Sequence, residues 1–259
     1  MHLLLHSSKT MRTPAQPRHP LGVPALIPRS IELVTVMRQT QNEQLQALMH
    51  VSSKKAEAVR VLYDEWSPNQ AKQTPAIDAF VGDIYSGLQV QQWSDEDRAY
   101  AHNHLLILSG LYGGLRACDG VMPYRLEMGY KLPSGGSLYQ FWGNSIASLI
   151  PPHETILLNL SAVEYTKAVL PYFHGTVITP KFLTKHAKTG VPTFVTVHTK
   201  IARGAFARWV VQSRVEDAQQ LTTFSDLGYV YDATESTPIE PVFVCDTFGG
   251  IGLSVRLTP

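Results

Sequence analysis

The chain opens on an apolar triplet, Leu3-Leu4-Leu5, of the length a buried strand needs. Residues 13–28 hold five prolines and little periodicity, which predicts an irregular crossing. From Arg29 to about His50 apolar residues recur at helical spacing: Ile31, Leu33, Val34 and Met37, then Leu45, Leu48 and Met49. Asn42 is the expected N-cap of the second part, and Leu45 three places on argues against a capping box. Ser52 or Ser53 opens a helix over Lys54 to Trp66, with Ala58, Val59, Leu62 and Trp66 on one face. The polar stretch 67–75, with two prolines, predicts a loop. Ala79-Phe80-Val81 predicts a strand that Gly82-Asp83 ends. Ser94 then caps a helix whose first turn, Asp95-Glu96-Asp97, sets three carboxylates at the positive end of the dipole. Leu105 to Leu108 is a short strand or the end of that helix.

Residues 109–133 lose any clear period and contain Gly110, Gly113, Gly114, Gly120 and Gly129. Loops of this length inside a folded unit are usually functional or disordered, and the aromatic and Met content here argues against disorder. Beyond it the pattern predicts a helix over Leu138 to Ile150, a strand over Ile156 to Leu160 and a helix over Ser161 to Leu170 capped by Ser161. Strands follow at Thr176 to Ile178 and Thr193 to Val197, then an amphipathic helix from Ile201 to Arg214. Tyr229 to Tyr231, Val242 to Cys245 and Leu253 to Arg256 read as closing strands. Alternating strands and helices without a repeat or linker predict an α/β fold: a single compact domain over 1–259, its mixed sheet covered by helices.

Composition narrows the function classes. The net charge is +1, so the whole molecule has no electrostatic pull toward nucleic acid or an anionic membrane, and any such binding needs a local patch. The cysteines, Cys118 and Cys245, are too few for a disulfide framework and form no CxxC pair, which predicts a reducing, cytoplasmic setting. No stretch approaches 18 apolar residues, so neither a membrane span nor a signal peptide is expected. The histidines are scattered. His102 and His104 are close, but no Cys or carboxylate joins them at ligand spacing, so neither a metal site nor a cofactor is expected.

One window has chemistry in it. Residues 181–214 carry Lys181, Lys185, Lys188, Lys200, Arg203, Arg208 and Arg214 with no Asp or Glu, and 216–246 reverses the sign. This is either a solvated helix face paired with the acidic segment or a basic surface for phosphate. In the second case Arg203 binds bidentately, Lys200 adds a point charge and Gly204 lets a backbone or ligand approach. Near the start, Ser7-Ser8-Lys9-Thr10 follows a strand, a common way to meet a phosphate, but the Walker spacing is missing. Gly110-Leu111-Tyr112-Gly113 reads as a tight hairpin, which allows a helix–hairpin–helix-like element near 100–120 that would hold a DNA phosphate. Alternation over Tyr124 to Met128 puts Arg125 and Glu127 on one face, as a buried pair or a ligand clamp. Asn159, Ser161, Glu164, Tyr165 and Lys167 sit at a strand-to-helix junction, where ligands of open α/β sheets bind.

Taken in order, eight segments carry a family signature: Ser8-Lys9-Thr10; Gly-Asp-Ile-Tyr-Ser-Gly-Leu at 82–88; Leu-Ser-Gly-Leu-Tyr-Gly at 108–113; Pro-Tyr-Arg-Leu-Glu-Met at 123–128; Leu-Tyr-Gln-Phe-Trp-Gly at 138–143; Asn159-Leu160-Ser161 with Glu164-Tyr165 and Lys167; Lys200 with Ala202-Arg203-Gly204; and Gly228-Tyr229. Along nearly its whole length the chain resembles the YaaA family of peroxide-stress proteins. Where that family reads Ser-Pro-Ala-Lys-Thr, this chain reads His6-Ser7-Ser8-Lys9-Thr10. The resemblance implies a cytosolic protein that limits damage by hydrogen peroxide, is linked to lowering unincorporated iron, and binds DNA, duplex or branched, through a basic cleft. Beside DNA binding stands a second expectation, an enzyme acting on a phosphorylated or nucleotide-like small molecule. Its motive is the presence of Glu127 and Glu164 among the cations, since carboxylates repel phosphate but can serve as a general base.

Overall fold

The computed structural model describes residues 1–252 apart from 13–17, 19, 21, 70, 71 and 134. The predicted closing strand at 253–256 lies outside the described residues. The first half of the chain runs β1 (His2–His6), β2 (Thr10–Met11), α1 (Ile27–Gln39), α2 (Asn42–Met49), α3 (Ser53–Glu65), β3 (Thr74–Pro75), α4 (Ala76–Ala79), β4 (Phe80–Val81), α5 (Asp83–Leu88), α6 (Asp95–His104), β5 (Leu105–Ser109), β6 (Gly113–Arg116) and β7 (Gly120–Val121). The second half runs α7 (Leu138–Trp142), β8 (Ile156–Asn159), α8 (Val163–Thr166), β9 (Thr176–Ile178), β10 (Lys181–Lys185), β11 (Pro192–Thr193), α9 (Thr196–Ser213), β12 (Tyr229–Tyr231) and β13 (Val242–Cys245).

The larger sheet has the order β6-β5-β1-β8-β9. Its inner strands are parallel, with Leu3 opposite both Leu105 and Leu158, and β6 is the antiparallel edge. The central strand β1 has neighbours on both sides, and Leu3, Leu4 and Leu5 are all fully buried. An uninterrupted apolar run is what a strand covered on both faces requires. The smaller sheet, β11-β10-β13-β12, pairs β10 and β13 in parallel and the others antiparallel. One face of it stacks Phe182, Tyr229 and Phe243 against Phe206 of α9 and Phe224. The fold is therefore the mixed α/β class the pattern predicts.

Several local expectations change. The cap of α2 is Gln41, not Asn42, and a Gln41/Gln44 box does form: the Gln41 N–H donates to Gln44 Oε1 at 3.1 Å. The helix expected over 138–150 stops at Trp142, because Gly143 takes a positive φ of 51° and turns the chain. Ser161 does not cap α8; Ala162 holds that position and α8 is a single turn. The strand expected over 193–197 is only β11, and α9 starts at Thr196, earlier than its apolar period suggests. Residues 124–128 are not a strand. Ser94 is a cap with a full capping box, as expected.

The element near 100–120 is corrected too. The tight turn is present, but it joins β5 to β6, with Ser109 opposite Gly113, so it is a β-hairpin following one helix. Its backbone is packed away from solvent. Tyr112 is fully buried, a Cβ on Gly110 would sit 2.3 Å from the Leu126 carbonyl oxygen, and Gly113 faces the Trp142 ring.

Candidate functional site

The parallel strands aim their carboxyl ends at one cleft. From β1 the chain passes to β5 on one side of the sheet and later to β8 on the other, so the strand order switches direction at β1. Crevices beyond the carboxyl ends of strands at such a switch are where open α/β sheets bind ligands. Here the crevice is a cleft of about 550 Å³, within the range of small-molecule sites. Its wall combines the segment after β1 (His6 to Thr10), the β4–α5 junction (Val81 to Tyr85), Glu127, the start of α8 (Ala162, Glu164, Tyr165) and Lys200 of α9.

Helix α9 is seated by two glycines that the sequence places on different helices. A Cβ on Gly204 would lie 1.8 Å from the Ile84 carbonyl oxygen, and one on Gly87 would lie 2.0 Å from the Ile201 carbonyl oxygen. Backbone therefore meets backbone where α5 crosses α9, which only glycine permits at this spacing. The close approach that Gly204 allows is to a helix, not to a ligand. Its consequence is that Lys200 and Arg203 are carried up against the end of β1.

Their charges reach His6. Burial, with the nearby Arg203 and Lys200 cations, pushes the His6 pKa down to about 3, so the ring is neutral at physiological pH. Its Nδ1 accepts the Ala162 N–H at 3.1 Å, and a backbone N–H can only donate, so the ring proton sits on Nε2. The ring stacks on Tyr165, centroids 4.9 Å apart. Ser161 Oγ is 3.2 Å from the same Nδ1, but Ser161 is buried and that nitrogen is already engaged, so the pair is not an activated nucleophile. Arg203 has no ion-pair or hydrogen-bond partner among the described residues, its Nε is buried, and desolvation lowers its pKa.

The cleft also carries carboxylates held by hydrogen bonds and ion pairs. Glu127 is nearly buried; its Oε2 is 2.6 Å from Lys9 Nζ, its Oε1 accepts from the Tyr130 hydroxyl, and Arg125 Nη2 stands 3.8 Å from Oε1. Arg125 and Glu127 thus form the expected pair, without the strand alternation that suggested it. Glu164 Oε1 accepts the Gly129 N–H at 2.8 Å, which ties both carboxylates to the 127–130 loop.

Of the candidate residues, Lys9, Thr10, Glu127, Glu164 and Lys200 line the cleft, while Arg125 stands 3.8 Å from the lining residue Glu127 and Arg203 is near enough for its charge to act on the lining residue His6. Asn159 is a brace: its Oδ1 accepts the Ser161 N–H at 3.0 Å and its Nδ2 donates to Thr179 Oγ1 at 3.2 Å. Lys167 is exposed at the end of α8 and outside the cleft lining. Arg208 is paired with Asp226 at 2.5 Å. The rest of the basic window is largely neutralised the same way: Lys181 with Glu240, Lys185 with Asp246 and Arg214 with Asp97. Gly110, Tyr112 and Gly113 are structural. Sequence reasoning missed His6 and Tyr85 as site residues, while Tyr165, placed at the strand-to-helix junction, does line the cleft. The signal for His6 was its position as the last residue of a buried strand, immediately before Ser-Ser-Lys-Thr.

Among the described residues, no group of three or more His, Cys, Asp or Glu is placed to hold a metal ion, and no helix is long and apolar enough to cross a membrane. Both cysteines are buried, and burial pushes the Cys118 thiol up to about 12.

Fold and cleft define a mixed α/β protein with a charged cleft at the carboxyl ends of its parallel strands. The chain belongs to the YaaA family of peroxide stress proteins, whose family model matches residues 1–235. A UPF0246 protein of Salinispora tropica is 48% identical over 259 residues, covering 99% of this chain and 98% of its own length. One from Delftia acidovorans is 38% identical, covering 94% of this chain and 98% of its own length.

Proposed function

We propose that this peroxide stress protein works by binding a phosphate-bearing small molecule in the cleft beyond β1 and β8. The observation that carries the reading is Arg203. It is a partly buried arginine with its Nε fully buried and no counter-ion among the described residues, beside Lys200 and a His6 ring that can offer only a donor. A desolvated cation is costly unless an anion compensates it. Phosphate suits a guanidinium, an ammonium and an N–H donor converging on one place. The cleft volume and the carboxylates in its lining fit a compact ligand better than a long polyanion.

Binding of DNA, which the family resemblance brings with it, is the second reading. Lys9 and Lys200 are exposed at the cleft and could meet a backbone phosphate. The ion pairs that occupy Lys181, Lys185, Arg208 and Arg214 and the burial of the hairpin glycines leave this reading fewer phosphate contacts. The link to unincorporated iron belongs in this proposal downstream of the bound ligand, as a consequence of which molecule the cleft holds.

Titration calorimetry with inorganic phosphate and pyrophosphate, beside fluorescence anisotropy of a labelled duplex and a branched junction at several salt concentrations, separates the two. Wild type should bind pyrophosphate, and Lys200→Ala/Arg203→Ala should weaken it at least tenfold, since each charged hydrogen bond contributes about 1.5–3 kcal/mol. Steeply salt-dependent DNA binding with no affinity for either small anion would overturn the first reading in favour of the second.

A further inference from the structure

We propose that the cleft is a ribose-phosphate site. Lys200, Arg203 and the Nε2–H of His6 take the phosphate, and Glu127 and Glu164 take the ribose hydroxyls. This rests on the anion reading above and goes past it by naming what the phosphate is attached to.

The carboxylates motivate it. A site built for bare phosphate gains little from carboxylates on its wall, because like charges repel in a confined space; Glu127 is offset by Lys9 at 2.6 Å and Arg125 at 3.8 Å, but Glu164 has no ion-pair partner among the described residues. Both line the cleft. Both are fixed by the same loop, Glu127 as part of it and Glu164 through the Gly129 N–H at 2.8 Å. That bond occupies only one oxygen of Glu164, which leaves acceptor capacity on the other. A carboxylate held this way accepts hydrogen bonds from vicinal hydroxyls, the use that dinucleotide-binding folds make of an acidic residue on a ribose 2′-hydroxyl.

Tyr165 joins the two ends. Its ring stacks on His6, in the cationic half, while the charges of Glu164 and Glu127 act on its hydroxyl and help raise its pKa. A ligand lying along Tyr165 therefore meets His6 and the cations of α9 on the ring side and, on the hydroxyl side, Glu164 and Glu127, the latter with Lys9 on its Oε2. A five-carbon sugar with a phosphate on its terminal carbon has this polarity: an anion on one side and hydroxyl donors on the other. A deoxyribose lacks one of the two vicinal hydroxyls that a carboxylate would take together. The chemistry could come from a free mononucleotide or from the 5′ end of an RNA strand, since both present a ribose 5-phosphate.

The test is titration calorimetry on the full chain with inorganic phosphate, ribose 5-phosphate, 2-deoxyribose 5-phosphate, adenosine 5′-monophosphate, and an oligoribonucleotide with and without its 5′-phosphate. Ribose 5-phosphate should bind about tenfold or more tighter than phosphate, the increment of one or two charge-assisted hydrogen bonds. The deoxy sugar should lose most of that gain. Glu164→Gln, which keeps the acceptor for the Gly129 N–H, should remove most of the gain, while affinity for inorganic phosphate holds or rises because a repelling charge is gone. Glu127→Gln serves as the second variant, with thermal unfolding as a check because Lys9 and Tyr130 rest on it. Preference for the mononucleotide over the 5′-phosphorylated strand, or the reverse, assigns the source. Phosphate binding with no gain from ribose, or a gain that survives both substitutions, overturns this proposal alone. If phosphate itself does not bind, the anion reading falls and takes this one with it.

Discussion

Arg98 shows how a charge is kept inside this molecule. Its Nη1 and Nη2 donate to the two oxygens of Asp78 at 2.7 and 3.0 Å, and Nη2 also donates to the Val90 carbonyl at 2.8 Å. Both side chains are almost fully buried, so the pair welds α6 to α4 in a medium where neither charge could stand alone. Asp78→Ala should cost about 3–5 kcal/mol in urea unfolding, because it strands the guanidinium. Adding Arg98→Met should return much of that loss. A single substitution costing no more than an exposed pair, under about 1 kcal/mol, would show that the site relaxes to admit water. Arg203 is the contrast: partly buried, with its Nε fully buried, it has no such partner among the described residues, which is why it points to a ligand and Arg98 does not. Sequence alone could not separate them, since an arginine among apolar neighbours looks the same whether its carboxylate is 20 residues away or absent.

At the scale of elements, the crossing of α5 and α9 is what places the site. Gly204→Ala would force a methyl against the Ile84 carbonyl, where a Cβ has 1.8 Å, and the helices would have to part. Overpacking of this kind costs about 1–3 kcal/mol or more. Because Lys200 and Arg203 ride on the same helix, anion affinity should fall along with stability, read by calorimetry and urea unfolding on one sample. Gly136→Ala, where the nearest atom to a new Cβ is 4.0 Å away, should change neither. A Gly204→Ala protein of normal stability and affinity would refute the account of the crossing. The elements legible in the sequence were those whose signal is local: β1 from its apolar triplet, α6 from Ser94 and three carboxylates, and α3 as a helix, although its buried face runs through Ala56, Val59 and Tyr63 while the expected Ala58 is exposed and Leu62 half-buried. Those misread were decided elsewhere. Gly143 breaks the predicted helix after α7 by taking a positive φ, and β10 hides its alternation, Lys-Phe-Leu-Thr-Lys, inside what reads as a run of charge.

The whole molecule adds what no segment carries. Sheet order brings β1 and β8 side by side, although about 150 residues separate them, and that adjacency sets His6 beside Ala162. Strand β13 lies past the matched stretch at residues 242–245, yet pairs on both sides within the smaller sheet. The same assembly fixes the response to acid. Burial lowers His6 to about 3 and His2 to about 4 from an ordinary 6.5, so between pH 6.5 and about 4 the unfolded chain binds two protons that the folded chain refuses. Stability from these groups is full above pH 6.5 and is lost as pH falls, at about 1.4 kcal/mol per pH unit for each. Asp119 runs the other way. Burial raises it to about 6, so below that pH the folded state holds a proton the unfolded state has not yet taken, and stability is regained at about 1.4 kcal/mol per unit. These two histidines against one carboxylate leave a net loss of about 1.4 kcal/mol per unit between pH 6 and 4, and His102 and His198, also lowered by burial, add to the loss in the same direction. Urea unfolding at pH 7, 6 and 5 should show that slope. His6→Gln should flatten it by cancelling one histidine, and Asp119→Asn should steepen it toward twice the value. A stability that stays level from pH 7 to 5, or a His6→Gln slope equal to wild type, would mean that His6 takes up its proton inside the fold. The neutral, Nε2-protonated ring on which the phosphate site depends would then be the wrong state.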